Sequence, residues 1–175
     1  MIQYKNSMEY NISDERFYIQ VRDLTKTIAD SYAEHFNWLD NKFFKALREK
    51  NNNTRGYSFA VDYANFIDFP YGSLFDTVGT YKLAGCVLLK NEPEEKKLCC
   101  LFVDPNYRGQ KIASKLIENG FELLNTTKPL MTVSQQNLGM LQKLIDRYGF
   151  ELTSVKESVY KPGVKEYYYN EGLAR

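Results

Sequence analysis

The sequence is poor in the residues from which metal sites and disulfide frameworks are built. Its 175 residues include three cysteines and one histidine, and two of the cysteines, Cys99 and Cys100, are adjacent. A structural zinc site needs about four spaced Cys or His ligands. An odd cysteine count within an apolar run is more typical of free thiols in a reducing compartment than of disulfides. We therefore expect no metal and no disulfide.

The sequence also lacks a long apolar run and an excess of charge of either sign. No segment approaches the ~20 apolar residues that span a bilayer, and the N-terminus has no apolar segment behind basic residues. We therefore expect a cytoplasmic protein without a membrane partner. The 23 Lys and Arg residues balance 22 Asp and Glu residues. Because nucleic-acid binders are visibly basic, we expect no nucleic-acid partner, although a pocket for one nucleotide stays compatible with this balance.

The length and composition predict one globular domain over residues 1–175. The chain is 43% hydrophobic and 26% charged, which is the ordinary range for folded proteins. A chain of this size buries on the order of 70% of its unfolded surface without a staple. Residues 1–15 are polar, and we expect them to form a loosely held extension.

Hydrophobic periodicity predicts a mixture of strands and helices. Alternation over residues 17–21 favours a strand, and three-to-four spacing over residues 24–39 favours a helix, followed by a second helix capped by Asp40. Further strands are predicted at residues 57–63, 81–89, 98–103, 130–133, 150–160 and 164–169, and further helices at 111–124 and 138–148. The six apolar residues 98–103 indicate the centre of the sheet.

The junction between the predicted central strand and the next helix is the most informative segment. It reads Leu101-Phe102-Val103-Asp104-Pro105-Asn106-Tyr107-Arg108-Gly109-Gln110-Lys111-Ile112-Ala113. The first amides of a helix lack intrahelical partners and lie at the positive end of its dipole, so they favour an anion such as a pyrophosphate. Neither the Walker spacing nor GxGxxG is present. From the loop alone, phosphate binding and an ordinary crossover both stay open.

The same segment resembles the GNAT (GCN5-related N-acetyltransferase) superfamily of acetyl-CoA-dependent acyltransferases. The run Arg108–Ala113 is similar to its Arg/Gln-x-x-Gly-x-Gly/Ala motif, and Asn137 and Tyr148-Gly149-Phe150 are similar to its downstream segment. The resemblance extends from about Phe17 to Tyr169. It implies a single α/β (α+β) domain with a central mixed, mostly antiparallel sheet of six to seven strands and about four flanking helices. Its fourth and fifth strands would be splayed to admit CoA.

The resemblance also implies contacts with acetyl-CoA as co-substrate. Backbone groups of Leu101, Phe102 and Val103 would pair with the pantetheine arm, and Asn137 would hydrogen-bond the same arm. The loop amides that would hold the pyrophosphate belong to Arg108, Gly109, Gln110, Lys111, Ile112 and Ala113.

Two positions depart from the family pattern. Lys111 stands where the family usually has glycine, which is inexpensive for a helical φ and costly for a left-handed one; we expect it to be tolerated. Ile145 stands where the family often has the tyrosine that reprotonates the departing thiolate. Tyr148 is the candidate to replace that acid, with packing at a helix end as the alternative.

The remaining chemistry requires a base for the acceptor amine. The resemblance makes Glu95 the candidate, because some family members place a carboxylate in this region, with a solvated turn charge as the alternative. Cys99 and Cys100 are expected to be core thiols, and His35 is expected to be structural or exposed. The prediction is direct transfer of an acetyl group from the CoA thioester to a primary amine. The alternatives are a non-catalytic acyl-CoA-binding or regulatory module, which Ile145 favours, and an interaction domain that keeps only the fold.

The acceptor is less defined by the sequence. The resemblance places its pocket at residues 32–44, 64–80 and 160–169. The middle stretch is aromatic and acidic, which suits a cationic amine, although these side chains could equally cover the sheet. The acceptor is expected to be a small-molecule or peptide amine, and a homodimer stays open.

Overall fold

The computed structural model describes residues 1–8, 15–28, 32, 34–49, 53–63 and 82–173. Residues 64–80, which were expected to contribute to the acceptor pocket, lie outside these ranges. Among the described residues, no helix is both long and apolar enough to cross a membrane.

Seven strands form one sheet in the order β1-β2-β3-β4-β5-β7-β6. The strands are β1 (Ile2–Asn6), β2 (Arg55–Asp62), β3 (Lys82–Asn91), β4 (Lys96–Val103), β5 (Leu130–Ser134), β6 (Leu152–Glu157) and β7 (Lys165–Tyr169). All neighbouring strands are antiparallel except the parallel pair β4 and β5. The prediction of a mixed, mostly antiparallel sheet with residues 98–103 at its centre is confirmed.

Helices cover both faces of the sheet. They are α1 (Glu15–Thr25), α2 (His35–Trp38), α3 (Lys45–Arg48), α4 (Ile112–Leu124) and α5 (Leu138–Tyr148), and a π-helical segment, Leu39–Phe44, joins α2 to α3 without a break. Alternation along β3 supplies both cores: Val87 and Leu89 pack with α4, whereas Cys86 and Leu88 pack with the N-terminal helices. Gly149, in a left-handed conformation, ends α5 as predicted.

Four expectations for the N-terminal region are wrong. The helix expected over residues 24–39 is not continuous, because α1 ends at Thr25, Tyr32 is not helical and α2 begins at His35. Residues 17–21 belong to α1, because Phe17 and Val21 are buried one helical turn apart while Ile19 between them is 52% exposed. Residues 2–6 are an edge strand of the sheet and not a loose extension, since they pair with β2 from Ile2–Asp62 to Asn6–Ser58.

Asp40 is not a helix cap, because it lies within the continuous helical run from α2 to α3. Its carboxylate instead accepts hydrogen bonds from Arg22 and from the Tyr18 hydroxyl, the latter at 2.9 Å. This network joins the π-helical segment to α1.

Candidate active site

The two central parallel strands separate soon after they meet. The β4–β5 ladder consists of the pairs Lys97–Leu130 and Leu98–Met131, whereas the β3–β4 ladder continues to Gly85–Val103. Beyond Leu98, therefore, no described strand pairs with the β5-facing edge of β4. The predicted splay of the fourth and fifth strands is confirmed.

A cavity of about 580 Å³ occupies this gap. Its walls are residues 97–102 of β4, residues 131–133 of β5, and Asn137, Met140 and Leu141 at the start of α5. Arg108 of the loop after β4 also lines it. The remaining lining comes from the α1–α2 region and from the β6–β7 turn, which contribute Tyr32, His35, Trp38, Val159 and Tyr160 among others. A long, largely apolar slot between two strand edges suits a thin, flexible ligand.

The loop after β4 is held in place by polar contacts at its start. The Asp104 side chain accepts a hydrogen bond from the Asn106 amide at 2.9 Å and pairs with Lys82 at 3.0 Å. The Tyr107 hydroxyl donates to Asp62 at 2.9 Å. These contacts tie the loop to β2 and β3 and so fix where α4 begins.

The end of this loop has two left-handed residues. Gly109 has φ 81° and Lys111, the residue before α4, has φ 61°. A left-handed backbone costs a residue with a side chain about 1–2 kcal/mol. Lys111 therefore does not have the helical φ at which a lysine is tolerated without strain. Its left-handed backbone destabilises the folded state locally, in the loop before α4.

The residues expected to contact the cofactor divide into three groups. Leu101, Phe102, Arg108 and Asn137 line the cavity. Gly109, Gln110 and Lys111 are exposed in the loop, and the Val103 carbonyl accepts a hydrogen bond from Arg108 Nε at 3.4 Å. Ile112 is buried in the core and Ala113 is half-buried in the first turn of α4.

Comparison with known proteins relates this arrangement to one family. Residues 76–152 match the family model described as an acetyltransferase (GNAT) domain. This part of the chain is therefore similar to a GNAT domain, and its fold is GNAT-like. A search of curated protein sequences gave no significant match.

Solved structures agree with the GNAT fold along the whole chain. The NatC complex bound to Gag peptide and CoA has a TM-score of 0.63 at 16% identity, with 96% of each chain covered. Arabidopsis thaliana NAA60 with acetyl-CoA has a TM-score of 0.60 at 16% identity, with 97% of each chain covered. An aminoglycoside 6′-N-acetyltransferase with coenzyme A has a TM-score of 0.58 at 11% identity, covering 97% of this chain and 94% of that chain. At these identities the likeness concerns the fold.

Neither candidate catalytic residue lies on the cavity wall. The Tyr148 hydroxyl donates to Glu118 at 2.9 Å and faces the Ser114 carbonyl at 3.2 Å, and its ring packs edge-on against Phe121 of α4. Glu95 pairs with Lys90 at 2.9 Å in the β3–β4 turn. The roles proposed for Tyr148 and Glu95 stay predictions.

Burial keeps two titratable side chains of the cavity wall, His35 and Cys99, in their uncharged forms at neutral pH. Burial lowers the pKa of His35 to about 4, and the neutral ring lies 2.9 Å from the Thr25 hydroxyl. Burial raises the pKa of the Cys99 thiol to about 11. The described residues contain no group of three or more His, Cys, Asp or Glu side chains placed to hold a metal ion.

Sequence reasoning missed a buried carboxylate close to the cavity wall. Glu166 of β7 is 2% exposed, and the Tyr32 hydroxyl on the cavity wall donates to its Oε2 at 3.5 Å. Burial raises the pKa of Glu166 to about 7. The available signal was strand alternation, which places Glu166 on the same face as Tyr168.

Proposed function

We propose that the protein is an acetyl-CoA-dependent N-acetyltransferase that moves an acetyl group directly from the CoA thioester to a primary amine. The observation that carries the proposal is the cavity between the separated ends of β4 and β5, with the Arg108–Ala113 loop beside it. The unpaired edge of β4 offers hydrogen-bonding groups to an extended amide-containing arm, as an added strand would use them. The first amides of α4 and the neighbouring cations, Arg108 and Lys111, favour a pyrophosphate.

Direct transfer is supported by the state of the cysteines. Cys99 and Cys100 both line the cavity. Burial raises the pKa of Cys99, and a hydrogen bond with Cys86, together with burial, raises that of Cys100. Because the thiolate is the nucleophilic form, protonated thiols favour attack by the acceptor amine itself over an acyl-cysteine intermediate.

The acceptor that fits best is a cationic amine on a small molecule or a peptide. The part of the lining outside β4 and β5 includes the aromatic residues Tyr32, Trp38 and Tyr160 and the acidic residue Glu34. Aromatic faces and a carboxylate attract an ammonium group. Three free cysteines support a cytoplasmic location for the reaction.

The test combines calorimetric titration of acetyl-CoA with an amine panel read out as free thiol. We expect binding of acetyl-CoA and turnover above the hydrolysis background on at least one amine. No heat at millimolar acetyl-CoA would remove the donor from the proposal. Binding without turnover would favour the acyl-CoA-binding module, the alternative to which the buried Ile145 points.

A further inference from the structure

A polar cluster lies where β5 pairs with β7, close to the cavity wall. Ser134 and Glu166 are direct partners in the β5–β7 ladder, and both are buried. The Tyr32 hydroxyl donates to Glu166 Oε2 at 3.5 Å and is also faced by Ser134. Tyr32 lines the cavity, so the same side chain contacts both the cavity and the carboxylate.

The position of Tyr32 is fixed by a second ring. Tyr160, in the turn between β6 and β7, packs edge-on against it with ring centroids 5.3 Å apart and an interplanar angle of 76°. Edge-to-face pairs of this kind are a favoured arrangement of aromatic rings. The phenol is therefore held at the cavity wall by a ring on one side and a carboxylate on the other.

The charges around Glu166 leave its carboxylate uncompensated. Within the described part of the chain, no cation lies within 4 Å of it. Lys97 faces it from β4 at longer range. Lys156, its partner on β6, binds Glu171 at 2.6 Å and lies over the Tyr168 ring at 3.9 Å. On β7 itself, Tyr168 lies on the same face of the strand as Glu166.

A cluster of buried polar groups of this kind destabilises the folded protein. A buried carboxylate without a paired cation opposes folding, as does a buried hydroxyl such as that of Ser134, which has no hydrogen bond of good geometry among the described residues. Costly polar groups beside a cavity are characteristic of catalytic sites.

Resting on the function proposed above, we propose that Tyr32 and Glu166 form a proton relay that deprotonates the acceptor amine. The ammonium passes one proton to Tyr32 Oη while the phenol passes its own proton to the Glu166 carboxylate. The freed amine forms the C–N bond at the thioester carbonyl and the C–S bond breaks. The second nitrogen proton goes to the departing thiolate, giving free CoA thiol, and Glu166 then returns its proton to solvent. Tyr32 is the catalytic residue, and Glu166 acts through it.

The acid–base properties of the pair agree with this direction of transfer. Burial raises the pKa of Tyr32 to about 12, so the phenol keeps its proton and remains a donor to Glu166. A carboxyl group with a pKa of about 7 is partly ionised at neutral pH and accepts a proton close to the working pH of a general base.

The test measures kcat/KM for the amine against pH in the full-length protein and in the variants Tyr32→Phe and Glu166→Gln. Wild type is expected to gain activity as pH rises through about 7, because Glu166 must be ionised. Both variants are expected to lose this limb and at least about 100-fold in kcat/KM, with unchanged acetyl-CoA affinity. Glu166→Asp, which keeps a carboxylate, should restore the limb in part. Glu151→Gln, at an exposed carboxylate paired with Lys128, is the matched control and should behave as wild type.

The outcomes separate the relay from the function on which it rests. Turnover by both variants with the wild-type rate and pH profile would overturn the relay and leave the acetyltransferase proposal intact. Absence of wild-type turnover on every amine would overturn both. If Glu166→Gln does not fold, Tyr32→Phe, which removes one oxygen atom, decides alone by the same profile.

Discussion

Removing the charge of Glu166 should stabilise the protein in a pH-dependent way. The folded state raises the pKa of this carboxyl from 4.5 to about 7 because of burial. Between these two pH values the native protein binds more protons than the unfolded chain. The contribution of neutral Glu166 to the free energy of unfolding is therefore fully present below pH 4.5 and is lost as pH rises through 7. At 1.36 kcal/mol per pKa unit, ionised Glu166 costs roughly 3 kcal/mol by pH 8.

The variant Glu166→Gln resembles the neutral carboxyl and does not ionise. It should therefore match wild type near pH 4.5 and exceed it at pH 8 by roughly 3 kcal/mol. For a domain of this size the difference corresponds to roughly 6–12 °C in Tm. The assay is thermal and urea unfolding of both proteins from pH 4.5 to pH 8, with the difference between them plotted against pH.

The comparison with wild type is necessary because His35 acts in the opposite direction. Its pKa is lowered to about 4 by burial, so the unfolded chain binds the extra proton and stability rises with pH from about 4 to 6.5. Both proteins carry His35, and its contribution cancels in the difference. A difference that is the same at pH 5 and pH 8 would refute the reasoning and show that Glu166 titrates normally.

Three further predictions concern the cofactor loop and the expected acid. Lys111→Gly should remove the left-handed strain that Lys111→Ala retains. In urea unfolding, the free energy of unfolding of Lys111→Gly should therefore exceed that of Lys111→Ala by roughly 1 kcal/mol. An equal loss of acetyl-CoA affinity in both variants would show that the Lys111 ammonium contributes to binding. Ala113→Asp should abolish acetyl-CoA binding in titration calorimetry by placing a carboxylate beside the pyrophosphate, whereas Ala113→Ser should keep it; unchanged affinity in the Asp variant would show that the loop is misassigned. Tyr148→Phe should reduce stability by about 1 kcal/mol through loss of the Glu118 hydrogen bond, and an unchanged turnover–pH profile would remove its proposed acid role.

The sequence predicted the part of the fold that is coded locally. The strands around the cavity and the two following helices have clear periodicity and ends, such as Gly149 after α5 and the apolar run that forms β4. The loop after β4 was recognised because its spacing of Arg, Gly and Ala is local as well. The sequence did not predict α1, because apolar residues at 17, 19 and 21 alternate like a strand while Phe17 and Val21 are also one helical turn apart. The packing of Phe17 against Phe59 and the exposure of Ile19 distinguish these patterns.

The base side of the site could not be found by the same reasoning. Glu166 lies in a short run of tyrosines whose alternation marks its face, but its meaning depends on Tyr32, which is 134 residues away. A contact between residues so far apart in the sequence cannot be recognised from any local sequence pattern. Ser134, its partner on β5, became informative only once the register of the sheet was known.

The missing tyrosine at position 145 is less damaging than the sequence suggested, because the two protons of the reaction make unequal demands. An alkyl ammonium resembles lysine, with a pKa of about 10.4, so at pH 7 its deprotonation is unfavourable by more than 3 units. A departing thiolate resembles cysteine, with a pKa of about 8.5, so at the same pH its protonation is favourable by about 1.5 units. Ile145 faces the core, and three residues along α5 the Tyr148 phenol is bound to Glu118, so neither side chain is on the cavity wall. The buried Tyr32–Glu166 pair is beside the cavity, where it can meet the larger of the two demands. We therefore expect loss of the pair to reduce turnover far more than loss of the Tyr148 hydroxyl.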